Sequence, residues 1–163
     1  MKMTTFVFIS LFLSFSFSEL GSASVMKKLV VPIEIDHEAE IRETLSDKRL
    51  DPFVVELIVA QSKHESGNYK NNLTKYHNVF GRHYHKTDTM AVSAGARAEG
   101  HSNFAIYPSL KYATISQINY LKRKKYSFRW KSAKQYAIEL KSKGYYEATV
   151  EDYTAALQSY MKK

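Results

Sequence analysis

Asp51-Pro52-Phe53-Val54-Val55-Glu56-Leu57-Ile58-Val59-Ala60-Gln61-Ser62-Lys63-His64-Glu65-Ser66-Gly67 is the stretch on which the fold turns. From Phe53 to Ala60 it is apolar on nearly every side, the pattern of a helix buried in a core. Asp51 suits an N-cap, Pro52 loses no needed hydrogen bond at the first helical position, and Gly67 accepts a left-handed C-terminal cap without steric cost. Glu65 therefore falls in the last turn. There the negative end of the helix dipole and partial burial both disfavour an ionised carboxylate, so its pKa is expected to rise toward the range of a proton donor. The position also suits a surface glutamate that caps nothing, and acids perturbed in this way occur in structural networks too.

Outward from this helix, 163 residues with 44% hydrophobic and 25% charged content describe one domain plus a short extra segment. The extra segment is N-terminal. Lys2 precedes Phe6-Val7-Phe8-Ile9-Ser10-Leu11-Phe12-Leu13-Ser14-Phe15, too short to span a bilayer comfortably, and Gly21-Ser22-Ala23 follow. This is the pattern of a secretory signal peptide over residues 1–23, cleaved near Ala23 or after Ser18; an uncleaved anchor is the alternative. The product is expected to be secreted or periplasmic, without stable membrane insertion after cleavage. The chain has no cysteine, so its stability must come from its core and not from bridges. Its net charge of +8 points to an anionic counter-surface, and Lys122-Arg123-Lys124-Lys125 with Arg129, Lys131 and Lys134 fit long-range attraction to one. Such runs are also ordinary solvated helix faces. No groove-binding motif accompanies the charge, so nucleic acid is not expected as a partner.

Residues 24–49 read as an N-terminal lead-in, with Leu29-Val30-Val31-Pro32-Ile33 extended and a short acidic helix from His37 to Leu45. Asn68 to His85 reads as loop with one helical turn. Between His85 and Tyr107 the small residues, Gly95 and Gly100 predict a β-hairpin or irregular lobe. After Pro108-Ser109 the positions Leu110, Thr114, Ile118 and Leu121 share one helical face. Ser132 to Gln135 has capping-box spacing, Ala133, Tyr136, Ala137 and Leu140 form a stripe, and Gly144 sits where a cap belongs. A last helix from about Thr149 carries Val150, Tyr153, Leu157 and Tyr160 on one side. The sum is a mostly α-helical domain with one small β lobe.

Four local patterns, in order, resemble the bacterial glucosaminidase-domain peptidoglycan hydrolases, the group that includes many autolysins and the flagellar wall hydrolase. They are Ala60-Gln61-Ser62-Lys63-His64-Glu65-Ser66-Gly67, similar to the family's helix bearing its catalytic glutamate; His77-Asn78-Val79-Phe80-Gly81, similar to its groove-lining Asn-x-Phe-Gly segment; Phe104-Ala105-Ile106-Tyr107-Pro108-Ser109, similar to its strand-to-helix junction; and Gly144-Tyr145 with Tyr153, similar to its terminal tyrosine pair. Across residues 50–163 the resemblance implies a lysozyme-like α+β domain, with a small β-hairpin lobe beside an active-site groove. It implies an endo-β-N-acetylglucosaminidase that cuts the glycan strand of peptidoglycan, with Glu65 as general acid and with Asn78, Phe80, Gly81, Tyr107, Tyr145 and Tyr153 binding substrate. The many tyrosines are compatible with sugar-face packing through their amphipathic rings, and equally with ordinary packing.

Glycoside hydrolysis usually takes two carboxylates. Between Phe80 and Phe104 the chain offers only Asp88 and Glu99. Glu99, close before the strand at Phe104, is the favoured second acid and Asp88 the alternative; both also suit ordinary loop acids, and the substrate's own N-acetyl group is a third route. In that route the resemblance places Tyr145 or Tyr153 to orient the reacting ring. His83 and His85, with His64, His77 and His101 nearby, do not make a metal site, because Asn68 stands where a metalloprotease helix needs its second histidine and an i, i+2 pair defines no centre. No cofactor or metal is expected, and a monomer is. The competing functional readings are a catalytically weak or inactive wall-binding scaffold of the same fold, and a lytic transglycosylase, which needs one acid only.

Overall fold

The computed structural model describes residues 36–96 and 103–161, which belong to one unit, Ile35–Lys163. The segment read as a signal peptide, 1–23, and the lead-in read as extended around Leu29 to Ile33 lie outside the described residues, as does Glu99. Among the described residues the protein is mostly helical, with five helices and two short strands, and no helix is long and apolar enough to cross a membrane.

Helix α1, His37–Ser46, lies within the segment read from sequence as a lead-in, yet Ile41 and Leu45 are fully buried and it packs against α3 and α2. Helix α2, Pro52–Glu65, is the centre. Val54, Leu57, Ile58 and Ala60 point to different sides of it and all are buried, which is why its sequence is apolar all round. It starts as expected: the Asp51 carboxylate accepts from the Phe53 amide at 2.8 Å, with Pro52 at the first helical position. It ends by three consecutive left-handed residues, Gly67, Asn68 and Tyr69. The Ser66 hydroxyl donates to the Ser62 carbonyl and accepts from the Tyr69 amide, and the Asn71 amide donates to the Glu65 carbonyl at 2.9 Å. The reversal is thus held by side chains that satisfy the helix end, and Glu65 stands at the rim of the core instead of inside it.

The long loop after α2 contains one 3-10 turn, Thr74–Tyr76, and then reaches the β lobe. Strands β1, Ser93–Ala96, and β2, Phe104–Ile106, pair antiparallel, with Ala94 opposite Ala105 and Ala96 opposite Phe104. Gly95 is left over between these pairs as a bulge, the place where a missing side chain costs least. On its other edge β2 binds the segment after Gly81: the Ala105 amide donates to the Arg82 carbonyl, the Tyr84 amide donates to the Asn103 carbonyl, and His83 bridges Phe104. Helices α3, Leu110–Arg123, α4, Ala133–Ser142, and α5, Val150–Met161, complete the body. Ser132 caps α4 by accepting from the Gln135 amide, while Gln135 returns its side-chain oxygen to the Lys131 amide, one residue earlier than a full capping box requires. Helix α5 packs against both α2 and α4, burying Tyr153 and Leu157.

Asn78 ties body and lobe together. It has no exposed surface, its side-chain amide donates to the carbonyls of Arg82 and Ala105 at 2.8 and 2.9 Å, and its oxygen accepts from the Arg82 amide at 2.8 Å. Asn78→Ala strands the Arg82 amide and the Ala105 carbonyl, while the Arg82 carbonyl keeps the Ala105 amide, and a loss of about 2–4 kcal/mol of unfolding free energy in denaturant titration is expected.

Candidate active site

Glu65 lies one helical turn after Gln61, on the same face of α2. Gln61 is, with Ser62, one of two polar residues fully buried along α2. Its side-chain oxygen accepts from the Tyr136 hydroxyl at 2.6 Å and from the Gln117 amide at 3.1 Å, so side chains from α3 and α4 fix which way the amide points. Its nitrogen is then turned toward the Tyr153 oxygen, a long contact of 3.5 Å. Tyr153, on α5, donates its hydroxyl proton to Glu65 Oε1 at 2.7 Å. Its ring is clamped between Tyr146, stacked at 3.8 Å and nearly parallel, and His64, edge-on at 5.0 Å. The donor to Glu65 is therefore held by packing on two sides as well as by its hydrogen bonds.

Burial raises the pKa of Glu65, and the hydrogen bond from Tyr153 offsets part of the rise. Because Oε1 accepts the Tyr153 proton, the carboxyl proton belongs on Oε2. That oxygen lies on the side of Gly81, whose φ of +60° a residue with a side chain rarely adopts, and a Cβ there would stand 3.8 Å from Oε2. Burial also pushes the Tyr153 and Tyr145 hydroxyls far up, with the Glu65 carboxylate adding to it, so both remain neutral donors.

Glu65 and Gly81 open onto a groove of about 690 Å³, whose walls include Phe80, Tyr84, Tyr120 and Tyr145. The Tyr145 hydroxyl donates to the Phe80 carbonyl at 3.0 Å, pinning the turn that carries Gly81 to the loop after α4. The groove wall is otherwise basic: Arg82, Arg123, Lys124 and Lys143 line it, and among the described residues Glu65 is the sole carboxylate that does.

Of the residues read from sequence, Glu65, Phe80, Gly81 and Tyr145 come together at this groove, and Tyr153 stands directly behind Glu65. Two expected substrate contacts are placed elsewhere. Asn78 spends its amide on the backbone of the lobe, and Tyr107 is buried beneath it, donating to Asp88 Oδ2 at 3.0 Å and sharing a hydrogen bond with the Ser116 hydroxyl. Asp88 is absorbed by the same cluster, since Ser116 also donates to it and its Oδ1 accepts from the Met90 amide. It does not line the groove. Among the described residues no group of three or more potential ligands is placed to hold a metal ion. Gln61, Tyr120 and Arg82 were not singled out from sequence. A signal existed for Gln61, an uncharged polar residue one turn before the acid in a buried helix; for the other two there was none.

Residues 46–163 match the glucosaminidase family, described as mannosyl-glycoprotein endo-beta-N-acetylglucosaminidase. Among individual curated proteins and among solved structures, nothing matches the chain. The family match covers most of the chain, which therefore belongs to the glucosaminidase family, whose domain implies cleavage of a glycan.

Two outcomes are expected of the Glu65 environment. A carboxyl whose folded pKa lies above its unfolded value costs stability as pH rises through the unfolded and then the folded value, so Glu65→Gln removes that loss. Its melting temperature should exceed that of the native protein at neutral pH, with the difference vanishing near pH 4, about where an unfolded glutamate protonates. Tyr153→Phe removes the hydrogen bond that favours the carboxylate. Glycan cleavage should slow by roughly tenfold to a hundredfold, while the alkaline limb of the pH–rate profile moves to higher pH.

Proposed function

We propose that this member of the glucosaminidase family is an exported endo-β-N-acetylglucosaminidase that cuts the glycan strand of peptidoglycan, with Glu65 as its general acid. The observation that carries the reading is the half-buried Glu65 carboxyl, held by Tyr153 through one oxygen and exposed to a sugar-sized groove through its neighbourhood with Gly81. A protonated carboxyl in that place hands its hydrogen to the bridging oxygen as the glycosidic bond lengthens. The flattened, positively charged ring that develops at the reacting sugar is then met by a glutamate that has become anionic and by aromatic walls that exclude water. The basic surface suits an anionic wall polymer, and residues 1–23 suit export, by the charge and hydropathy patterns already described. A lysozyme-like arrangement of helical body and β lobe on either side of the groove belongs to the same reading.

The second catalytic group in this reading is Glu99, chosen from its position in the sequence shortly before β2. The fact that Glu65 is the sole carboxylate lining the groove among the described residues also favours a route that needs one acid, with the substrate's acetamido group as internal nucleophile or with transglycosylation.

The test is clearing of purified peptidoglycan with mass analysis of the products. Glu65→Gln should lower the rate by roughly 10²–10⁴-fold. Equal clearing by both proteins overturns the assigned acid, and no clearing by the native protein, with retained pelleting on walls, favours the scaffold reading. New reducing N-acetylglucosamine ends are expected; anhydro-sugar ends would establish transglycosylation instead. Glu99→Gln should cost a similar factor where Glu99 acts as base or nucleophile, and little where the acetamido group does.

A further inference from the structure

The wall of the groove next to Glu65 carries a cation that the reaction just described leaves unused. Arg82 follows Gly81 directly, and both its backbone N–H and its backbone carbonyl are bonded by the Asn78 side chain, which fixes its Cα. Its guanidinium lies over the ring of Tyr120, with the central carbon 3.6 Å from the ring centroid. Such a contact sets the cation against the aromatic face, an interaction that does not consume the guanidinium's hydrogen-bond donors. Arg82 Nε is buried and has no hydrogen-bond partner, and among the described residues the side chain forms no ion pair. Nε itself is closed off, so the donors open to a ligand are the terminal N–H groups of the guanidinium, whose planar fork is the form that binds a carboxylate through two parallel bonds.

The surroundings agree in sign. Arg123 and Lys124, from the C-terminal end of α3, line the same groove, and neither has an ion-pair partner among the described residues. Lys143 is different: it donates to the carbonyls of Lys124 and Lys125 and pairs with Glu139 at 3.4 Å, so it braces the wall and is not available to a ligand. What remains is one guanidinium stacked on Tyr120 with two exposed cations in the same groove, where Glu65, whose pKa burial raises, is the sole carboxylate among the described residues. A neutral chain of acetylated sugars has nothing to offer such a wall except amide oxygens. An acid attached to the chain does.

We propose that Arg82, stacked on Tyr120, forms a carboxylate-binding subsite that selects glycan strands carrying an acidic group beside the sugar presented to Glu65. The subsite rests on the reading of the groove as a glycan site, and it makes Arg82 a specificity residue and not a catalytic one. The acid can be borne by a sugar directly or by a peptide attached to it; the chemistry at Arg82 is the same.

Binding separates this from catalysis. In a Glu65→Gln background, which holds uncut ligand, dissociation constants are measured with and without Arg82→Gln for two ligands, peptide-bearing wall fragments and glycan stripped of its peptides. Each is used native and after methyl esterification of its carboxyls. Arg82→Gln should weaken the native ligand by about tenfold or more and change the esterified one by no more than about twofold. Persistence of the effect on stripped glycan assigns the acid to the sugar; its restriction to peptide-bearing fragments assigns it to the peptide. Arg82→Lys, which keeps stem and charge but loses the planar fork, should fall between native and Gln, and it stands in where the Gln variant does not fold. Equal weakening of native and esterified ligands, no weakening of either, or no binding of any fragment overturns the subsite. A preserved difference between native and esterified ligands, when the protein with Glu65 intact cleaves no fragment, overturns the hydrolase reading alone.

Discussion

The hydrogen bond from Tyr153 to Glu65 Oε1 sets the chemistry of the site, and the rest of the fold can be understood as what it takes to hold that bond. A buried carboxyl has two equivalent oxygens, and burial alone raises its pKa without deciding where the proton sits. A fixed donor to one oxygen breaks the equivalence. The donor in turn needs a fixed oxygen of its own, and Gln61 provides the neighbour, its orientation settled by Tyr136 and Gln117. Four helices thus converge on one amide and one phenol: α2 carries Gln61 and Glu65, α3 Gln117, α4 Tyr136 and α5 Tyr153.

That convergence explains an arrangement which is otherwise uneconomical. A glutamine in the middle of a core gives up apolar burial and demands that every one of its polar atoms be met, since a half-satisfied polar group inside a protein costs more than an apolar one. Here the amide oxygen takes two donors. The cost goes into rigidity around the Glu65 carboxyl, a trade of stability for geometry that accords with the proton-donor role proposed for it. The aromatic clamp on Tyr153 contributes to the same end by removing the rotation that would let the phenol turn away.

The helices were legible in the sequence because their signals are local. Asp51-Pro52 and Gly67 bound α2, Ser132 and Gly144 bound α4, and the apolar stripes of α3 and α5 face where their periodicity puts them. Glu65 was legible for the same reason, since a helix end and its dipole can be read from a dozen residues. What the sequence did not resolve is set by contacts across the chain. Asn78 and Tyr107 look like surface-lining polar and aromatic residues in an aromatic-rich loop, and only their partners at Ala105 and Asp88 show them to be structural. Arg82 looks like one more positive charge in a chain with many; its character comes from Tyr120, 38 positions later, and from an Nε without a partner. The same holds for α1, whose acidic surface residues conceal the two side chains, Ile41 and Leu45, that seat it in the core.

The β lobe shows how little strand is needed to place a groove wall. Strand β2 is three residues long, too short to be stable by its own pairing, yet it is bonded on both edges, to β1 on one side and to the segment Arg82 to Tyr84 on the other. Asn78 closes this second edge from the body side by bonding Arg82 and Ala105 at once. The turn at Gly81 is therefore tied to the lobe edge through Asn78 and to the loop after α4 through Tyr145, which bonds the Phe80 carbonyl. With both anchors in place, the bare Cα of Gly81 faces Glu65 Oε2 and leaves room for a ligand atom at the oxygen that carries the proton. Loosening either anchor would move the wall and not the acid, so damage in the lobe should appear as weakened binding before it appears as a changed pKa.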